Sequence, residues 1–112
     1  MADCIFCKIV AGTIPAEKVL ETPDAVAFRD INPQAPHHYL VIPTKHVAAI
    51  KDLEDEDRDR AGALLLAARD VARQQGLDDY RLVVNTGPDA GQTVYHIHVH
   101  VLGGRSFGWP PG

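Results

Sequence analysis

Several features common in secreted, membrane and nucleic-acid-binding proteins are missing from this sequence. No apolar run approaches the roughly 20 residues that a membrane span requires. The formal net charge is −4, so the broad cationic surface that nucleic acid requires is not expected. No cleavable leader is recognisable, since Lys8 interrupts the first apolar stretch and no small-residue cleavage site follows. The two cysteines are expected to be reduced in a cytoplasmic protein that has neither nucleic acid nor a membrane as a partner.

The sequence contains enough apolar material for one domain over residues 1–112, because 46% of it is hydrophobic. A short helix over 4–11 is predicted to end at Gly12, and a long helix over 52–75 carries one apolar stripe. The acidic residues of 52–57 are expected to be the solvated start of the long helix. Strands are predicted over 18–21, 25–29, 38–42, 80–85 and 94–102. This pattern predicts an α+β fold with an antiparallel sheet of about five strands, one long helix and one short helix.

Six histidines are concentrated in three places: 37–38, 46, and the set at 96, 98 and 100. In a strand over 94–102, the last three histidines share one face and the apolar residues between them share the other. The apolar face is expected to pack on the core, which leaves a face of imidazoles. A polar strand that faces solvent is one alternative, and a zinc ion shared by two neighbouring imidazoles is another.

The two cysteines form a Cys4-x-x-Cys7 pair. This spacing is compatible with a redox centre, with two buried thiols or with half of a metal site. A redox centre is disfavoured because no βαβ pattern of the thioredoxin type surrounds the pair. The pair alone does not indicate a metal, since structural zinc requires four nitrogen or sulfur ligands.

Four segments together resemble the histidine triad (HIT) superfamily. His-Ile-His-Val-His-Val-Leu at 96–102 resembles its His-φ-His-φ-His-φ-φ signature, in which φ is apolar. Residues 30–38 resemble the family's mid-chain segment, 91–95 the stretch before the triad, and Trp-Pro-Pro-Gly at 109–112 the C-terminus of its Hint branch. This resemblance implies a HIT-like fold, a homodimer, and hydrolysis or transfer of nucleoside monophosphates from phosphoramidates and related anhydrides.

The resemblance also implies a catalytic set. His98 matches the family nucleophile, and a neutral imidazole can attack phosphorus near pH 7 and then leave again. His100 is expected to bind a phosphate oxygen or to pass a proton. His38 matches the fourth active-site histidine of the family, which is expected to orient the nucleophile. His37 matches no functional position and is expected to be an exposed loop residue.

Phosphate charge would be stabilised in this sequence without a lysine or arginine clamp. Donors are expected from the Thr93 hydroxyl, the Asn85 amide and the main chain of Gly91, Gln92 and Thr93. Position 93 is often serine in the Hint branch, and threonine keeps the hydroxyl but adds a methyl group. Asn85 has an alternative role as the turn residue that ends a strand.

The nucleoside requires an apolar slot and an acceptor for the ribose hydroxyls. Asp30 resembles the family carboxylate that accepts both hydroxyls, and a turn cap is its alternative role. The base is a purine in the family. The side chains expected to line the base slot are apolar, with core packing as the alternative role of each: Ile5, Phe6, Ile9, Phe28 and Ile31.

Some HIT relatives, including those of the galactose-1-phosphate uridylyltransferase type, carry zinc on two cysteines and two histidines. That resemblance implies one closed site formed by Cys4, Cys7, His46 and His96. A filled Cys₂His₂ shell has no open position, so the Zn²⁺ would be structural. The alternative role of His46 is that of a plain helix-start residue. No organic cofactor is expected.

Together these residues predict a homodimeric hydrolase or transferase that cleaves purine nucleoside 5′-phosphoramidates, such as adenosine 5′-phosphoramidate. The products are the nucleoside monophosphate and an amine, and the expected intermediate is a covalent nucleotidyl-histidine. Three alternatives stay open: a dinucleoside polyphosphate hydrolase, a nucleotide-binding scaffold with vestigial catalysis, and a zinc module.

Overall fold

A five-stranded antiparallel sheet forms the centre of the computed structural model, which describes residues 3–112. The sheet has the spatial order β1-β2-β3-β5-β4. Two α-helices accompany it, α1 (Ile5–Ala11) and α2 (Arg58–Gln74). The predicted α+β fold with one short and one long helix is confirmed. The strands are β1 (Lys18–Glu21), β2 (Ala25–Arg29), β3 (His37–Pro43), β4 (Tyr80–Val83) and β5 (Val99–Gly103).

The two helices pack against opposite faces of the sheet, because side chains alternate along each strand. On the α2 face, Val41, Val99 and Val101 pack with Leu64 and Val71 of the helix. Neither helix in the described part of the chain has the length and apolar character needed to cross a membrane. The α1 face carries a smaller buried cluster: Phe6, Ile9, Val26, Phe28, Leu40 and Ile42.

Helix α1 is short because hydrogen bonds determine both of its ends. Cys4 precedes the helix in an extended conformation, and its Sγ accepts a hydrogen bond from Cys7 N–H at 3.3 Å. Gly12 follows the helix at φ +76°, where glycine is favoured, and its N–H donates to the carbonyls of Lys8 and Ile9. The predicted end of the helix at Gly12 is confirmed.

The long helix begins at Arg58 and not at residue 52, because residues 50–57 contain two 3₁₀ turns. The acidic run before it is not solvated throughout, since Asp57 is buried. The Asp57 carboxylate accepts from Glu54 N–H at 3.0 Å, from Lys45 at 3.1 Å and from Arg60 at 3.2 Å. The Glu54 hydrogen bond and the Lys45 ammonium lower the pKa of Asp57. The carboxylate turns inward to these donors, and the α-helix starts only after it.

The segment that contains the three histidines differs most from its prediction. Strand pairing covers only Val99–Gly103, so residues 94–98 lie outside the sheet. The Ile97 N–H in this stretch donates a hydrogen bond to the Val47 carbonyl at 2.8 Å. The alternation of side chains nevertheless extends back to Ile97, which is 2% exposed. His37 pairs with Gly103 as the first residue of β3, so its prediction as a loop residue was wrong.

Candidate active site

Four imidazoles meet on the α1 face of the sheet. His96 is fully buried, His98 is 8% exposed and His100 is half-buried. The Phe6 ring meets two of these rings edge-on, with centroid distances of 5.9 Å to His96 and 5.2 Å to His98. His38 approaches from the neighbouring strand β3, and its ring centroid lies 5.1 Å from that of His100. The alternation predicted for 96, 98 and 100 therefore places these side chains on one face.

The tautomer of His98 follows from its main-chain partner. His98 Nδ1 lies 2.8 Å from the carbonyl oxygen of His96. Because a carbonyl accepts and does not donate, Nδ1 carries the proton. In the neutral ring, Nε2 then has an unshared electron pair. His98 therefore carries a nucleophilic nitrogen at the end of the ring that is not bound to the main chain.

His38 and His100 form a hydrogen-bonded relay that starts at the main chain of Gln34. The Gln34 N–H donates to His38 Nδ1 at 3.0 Å, so the proton of the neutral His38 ring is on Nε2. His38 Nε2 lies 2.9 Å from His100 Nδ1 and 3.4 Å from the nearer Asp30 oxygen. His100 Nδ1 must accept this proton, so the neutral His100 ring carries its own proton on Nε2.

Both rings of this relay are held neutral at pH 7. Burial lowers the pKa of His38, and the nearby Asp30 carboxylate opposes this only in part. Burial, with repulsion from the His98 and His38 rings, lowers the pKa of His100 from 6.5 to about 4. The relay therefore keeps its neutral tautomers near pH 7, and His100 Nε2–H is a neutral donor.

A second cluster combines one ligand atom each of Cys4, Cys7, His46 and His96, all within 4.8 Å of one another. His96 Nδ1 lies 3.3 Å from Cys4 Sγ and 3.6 Å from Cys7 Sγ. His46 Nδ1 lies 3.3 Å from Cys7 Sγ and 3.1 Å from His96 Nδ1. The structure thus brings together the four residues that the sequence predicts as zinc ligands.

These separations suit a tetrahedral metal ion. Zinc bonds of about 2.3 Å to sulfur and about 2.0 Å to nitrogen place sulfur about 3.5 Å from nitrogen and two nitrogens about 3.3 Å apart. His96 Nε2 donates to the Pro43 carbonyl at 2.9 Å, so its Nδ1 is unprotonated and faces the cluster. Burial and the neighbouring Cys4 thiol raise the pKa of Cys7, so a cation is needed to stabilise the thiolate.

Asp30, His38 and His100 have a similar spacing, with ligand atoms within 4.8 Å of one another, but the wrong hydrogen bonds for a metal. The Gln34 N–H occupies His38 Nδ1, so His38 Nε2 carries a proton. A metal at Nε2 would require the ring to lose that proton and become an anion. The partners of the second ring nitrogen therefore distinguish a relay at His38 from a metal ligand at His96.

An apolar slot with a cavity volume of about 330 Å³ opens between α1 and β2. The rings of Phe6 and Phe28 meet edge-on in its wall, with centroids 5.6 Å apart. Ile31 is fully exposed and Ile5 is 49% exposed. Apolar side chains this exposed beside a cavity are typical of a binding surface. All of the side chains predicted to hold the nucleoside line this slot: Ile5, Phe6, Ile9, Phe28, Asp30 and Ile31.

The loop before the triad is held together by Gln92, whose side chain is buried. Its Oε1 accepts from Gly87 N–H, and its Nε2 donates to the carbonyls of Ala48 and Val94. The main-chain N–H groups of Gly91 and Gln92 donate to Pro88 and Gly87.

The predicted phosphate donors of the loop are therefore reduced in number. Gly91 and Gln92 use their N–H groups within the loop and do not direct them at a ligand. Thr93 is exposed, and Asn85 is half-buried beyond the end of β4. The hydroxyl of Thr93 and the amide of Asn85 are the side-chain donors that this loop still offers.

Gln34 is the residue of the site that the sequence did not reveal. Its contribution to His38 is a main-chain N–H, which every residue except proline possesses. No side-chain pattern can therefore signal it. The only available signal was indirect: the loop lies between Pro33 and Pro36, and proline restricts the main chain.

Comparison with known proteins agrees with this geometry. Residues 11–107 match the HIT domain family. The chain belongs to this family. The HIT chain is 51% identical over 111 residues to an uncharacterized HIT-like protein of Synechococcus elongatus, with 98% of this chain and 97% of the relative covered.

Solved structures of HIT proteins have the same fold. A HIT family hydrolase from Legionella pneumophila superposes with a TM-score of 0.95 at 51% identity, over 98% of this chain and 100% of its own. A histidine triad protein from Clostridium difficile has a TM-score of 0.93 at 40% identity, over 96% of each chain. A histidine triad nucleotide-binding protein from Candida albicans has a TM-score of 0.83 at 34% identity, over 96% of this chain and 83% of its own. The family is confirmed, and the Hint branch stays a prediction.

The depressed pKa of His100 predicts its titration and a pH dependence of stability. The ring should titrate with a midpoint of about 4, whereas the unfolded chain takes up this proton near 6.5. The unfolded state then binds more protons between these values, so the free energy of unfolding should fall as pH falls from about 6.5 to about 4. NMR titration of the ring carbons measures the midpoint, and urea unfolding measures the stability. His100→Gln should remove part of this dependence. A midpoint near 6.5 would contradict the lowering of the His100 pKa by burial.

Proposed function

We propose that this HIT protein is a nucleotide hydrolase or transferase that cleaves purine nucleoside 5′-phosphoramidates. The observation that carries the proposal is the hydrogen bond from His98 Nδ1 to the His96 carbonyl, which leaves Nε2 as an unprotonated nucleophile. The Phe6 ring that contacts His98 also lines the apolar slot. A nucleotide in that slot would therefore have its phosphate next to His98. HIT structures described as a hydrolase and as a nucleotide-binding protein support the same class.

The reaction proceeds in two displacements at the α-phosphorus. In the first, His98 Nε2 forms a bond to phosphorus while the bond from phosphorus to nitrogen breaks, and the amine leaves with a proton from solvent. In the second, water attacks phosphorus and gives up a proton to solvent, the bond to Nε2 breaks, and the nucleoside monophosphate is released. Dividing one difficult displacement into two easier steps is the general advantage of a covalent intermediate.

The neighbours of His98 stabilise the charge that develops on the phosphate. His100 donates its Nε2–H to a phosphate oxygen, and the relay from His38 keeps the proton at that position. Thr93 is exposed, and we assign its hydroxyl as a donor to the leaving group. Asp30 uses one oxygen to accept from Asn32 N–H at 2.8 Å, and each carboxylate oxygen keeps a further acceptor site for a ribose hydroxyl.

Replacement of the nucleophile is the direct test of this function. His98→Ala should lower the turnover of adenosine 5′-phosphoramidate by about 10³-fold or more, because no covalent intermediate can form. Released AMP is the quantity measured. His37→Ala is the matched control and should keep its turnover. The His37 Nδ1 lies 2.7 Å from the Tyr39 hydroxyl oxygen, and the ring makes no hydrogen bond to the triad.

The outcome also separates the alternative functions. Turnover that survives in His98→Ala would reject His98 as the nucleophile. Wild-type protein that cleaves diadenosine polyphosphates but not the phosphoramidate would be a dinucleoside polyphosphate hydrolase. Wild-type protein that binds AMP but turns over neither substrate would be a nucleotide-binding scaffold.

We further propose that the cluster of Cys4, Cys7, His46 and His96 holds one structural Zn²⁺. Its four donors close the tetrahedral shell, so no position is open for a substrate. Cys4 and Cys7 belong to the start of α1, and His96 is the first histidine of the triad. When bound, the metal supplies a cross-link between helix α1 and the segment that contains the three histidines.

Metal analysis of single variants tests this assignment. Wild-type protein should contain one zinc per chain, and Cys7→Ala should lose it. A metal that binds only the folded state adds about 4 kcal/mol at a free concentration of about 1,000 times its dissociation constant, so the variant should unfold correspondingly more easily. Zinc content by atomic absorption and the free energy of unfolding are the measurements. His98→Ala is the control that should retain zinc, and equal zinc content in both variants would reject the site.

We also propose a homodimer that forms through the edge of β4. This strand ends the sheet, so one row of its main-chain groups faces no other strand of the described chain. Leu65 of α2 is 56% exposed and Val84 is 36% exposed, and both line one apolar cavity of about 260 Å³. Antiparallel pairing of two such edges about a two-fold axis would cover these side chains in both chains.

Adding a charge to this surface tests the homodimer. Leu65→Glu should raise the dimer dissociation constant by about 100-fold or more, because an unpaired carboxylate in an apolar interface is costly. Sedimentation equilibrium measures the constant. Ala11→Glu, at the exposed end of α1, is the control that should leave it unchanged. A monomeric wild type, or a Leu65→Glu dimer of unchanged affinity, would refute the interface.

A further inference from the structure

The segment that follows β5 reaches the histidine relay from outside the slot. Arg105 Nε donates to the main-chain carbonyl of Gln34 at 3.2 Å. The N–H of the same Gln34 donates to His38 Nδ1 at 3.0 Å. We propose that Arg105 is a positioning residue for His38 and His100. This inference rests on the function proposed above for the site and adds a residue outside it.

The loop between Asp30 and His38 is short and held at several points. Asp30 accepts from Asn32 N–H at 2.8 Å, and the Gln34 side chain donates to the Asn32 carbonyl at 3.1 Å. Gly104 packs on the far side of this loop, at φ +89°, where a Cβ would lie 2.9 Å from the Pro36 side chain. The C-terminal segment therefore lies directly against the loop. Its one side-chain hydrogen bond to the loop in the described residues comes from Arg105.

The two main-chain groups of Gln34 make hydrogen bonds to different side chains. Arg105 holds the carbonyl on the outside, and His38 Nδ1 accepts from the N–H on the inside. Both contacts limit the main-chain torsions of one residue. Loss of the outer contact allows the loop to rotate, and the inner N–H then no longer points steadily at the ring.

The consequence for His100 follows from ring tautomers. Without the Gln34 N–H, His38 can carry its proton on Nδ1, and its Nε2 then becomes an acceptor. His38 Nε2 and His100 Nδ1 are 2.9 Å apart, so one of them must donate to the other. When His38 Nε2 is the acceptor, His100 must donate from Nδ1. Its Nε2 would then present a lone pair to the phosphate instead of a proton. A fraction of molecules would thus lose the donor that stabilises the transition state.

Arg81 of β4 provides a matched control, because it contacts the same C-terminal segment. It donates to the Gly108 carbonyl at 2.7 Å, and its guanidinium lies 5.1 Å from the Phe107 ring centroid. Arg105 stacks on the same ring at 4.2 Å. Both arginines therefore hold the C-terminal segment, but among them only Arg105 has a hydrogen bond to the Gln34 loop. Comparison of Arg105→Ala with Arg81→Ala therefore separates the contact with that loop from a general loosening of the C-terminal segment.

The experiment compares Arg105→Ala, Arg105→Lys and Arg81→Ala with the wild type. Turnover of adenosine 5′-phosphoramidate gives kcat and KM, and ring ¹⁵N chemical shifts give the tautomers of His38 and His100 without substrate. Arg105→Ala should lower kcat by about three- to tenfold, the range that one hydrogen bond supplies, with KM changed by less than about twofold. Its ¹⁵N shifts should show both tautomers of each ring.

Lysine can still donate to the Gln34 carbonyl, so Arg105→Lys should recover most of kcat and the wild-type ¹⁵N shifts. Arg81→Ala should keep wild-type tautomers. The proposal is overturned if Arg105→Ala keeps wild-type tautomers, or if Arg81→Ala mixes them equally. Absence of turnover in the wild type would refute the proposed function, whereas the ¹⁵N shifts would still decide the role of Arg105.

Discussion

Three imidazoles in this protein have one ring nitrogen each hydrogen-bonded to the main chain, and the chemistry of the site depends on these contacts. His98 donates from Nδ1–H to the His96 carbonyl, and His96 donates from Nε2–H to the Pro43 carbonyl. His38 instead accepts at Nδ1 from the Gln34 N–H. A carbonyl only accepts and an N–H only donates, so each contact selects one tautomer. Burial lowers the pKa of His38 and His96, which keeps these two rings neutral near pH 7.

His96 connects the cysteine and histidine cluster to the ring of His98. Its ring nitrogen Nδ1 belongs to the cysteine and histidine cluster, while its carbonyl orients the nucleophilic ring of His98. Helix α1 makes a second connection, because Cys4 and Cys7 face the cluster while Phe6 lines the slot and contacts His98. A displacement of α1 would therefore disturb the cysteine and histidine cluster, the apolar slot and the His98 ring together. This sharing explains why so small a chain can hold all three.

Patterns within one element predicted the fold well, and contacts between elements explain where prediction failed. The alternation at 96–102 identified the imidazole face, and the stop at Gly12 was correct, since both depend on local geometry. The predicted start of α2 was wrong because the Asp57 side chain turns inward and accepts a hydrogen bond from Lys45, which is 12 residues away in the sequence. His37 was assigned to a loop because its pairing with Gly103 joins two distant strands. Long-range partners of this kind leave no periodic signal.

The amino-acid sequence by itself determined the family and the α+β class and predicted the candidate site residues, because side-chain identity and local periodicity are properties of the sequence. Only the tertiary structure decided which nitrogen of each imidazole carries the proton. It also separated two groups of similar spacing, since His96 has an unprotonated Nδ1 for a metal whereas His38 has its Nδ1 occupied by Gln34. These assignments depend on main-chain donors and acceptors, which nearly every residue possesses. The sequence therefore cannot predict which of them contacts an imidazole, because only the fold determines their partners.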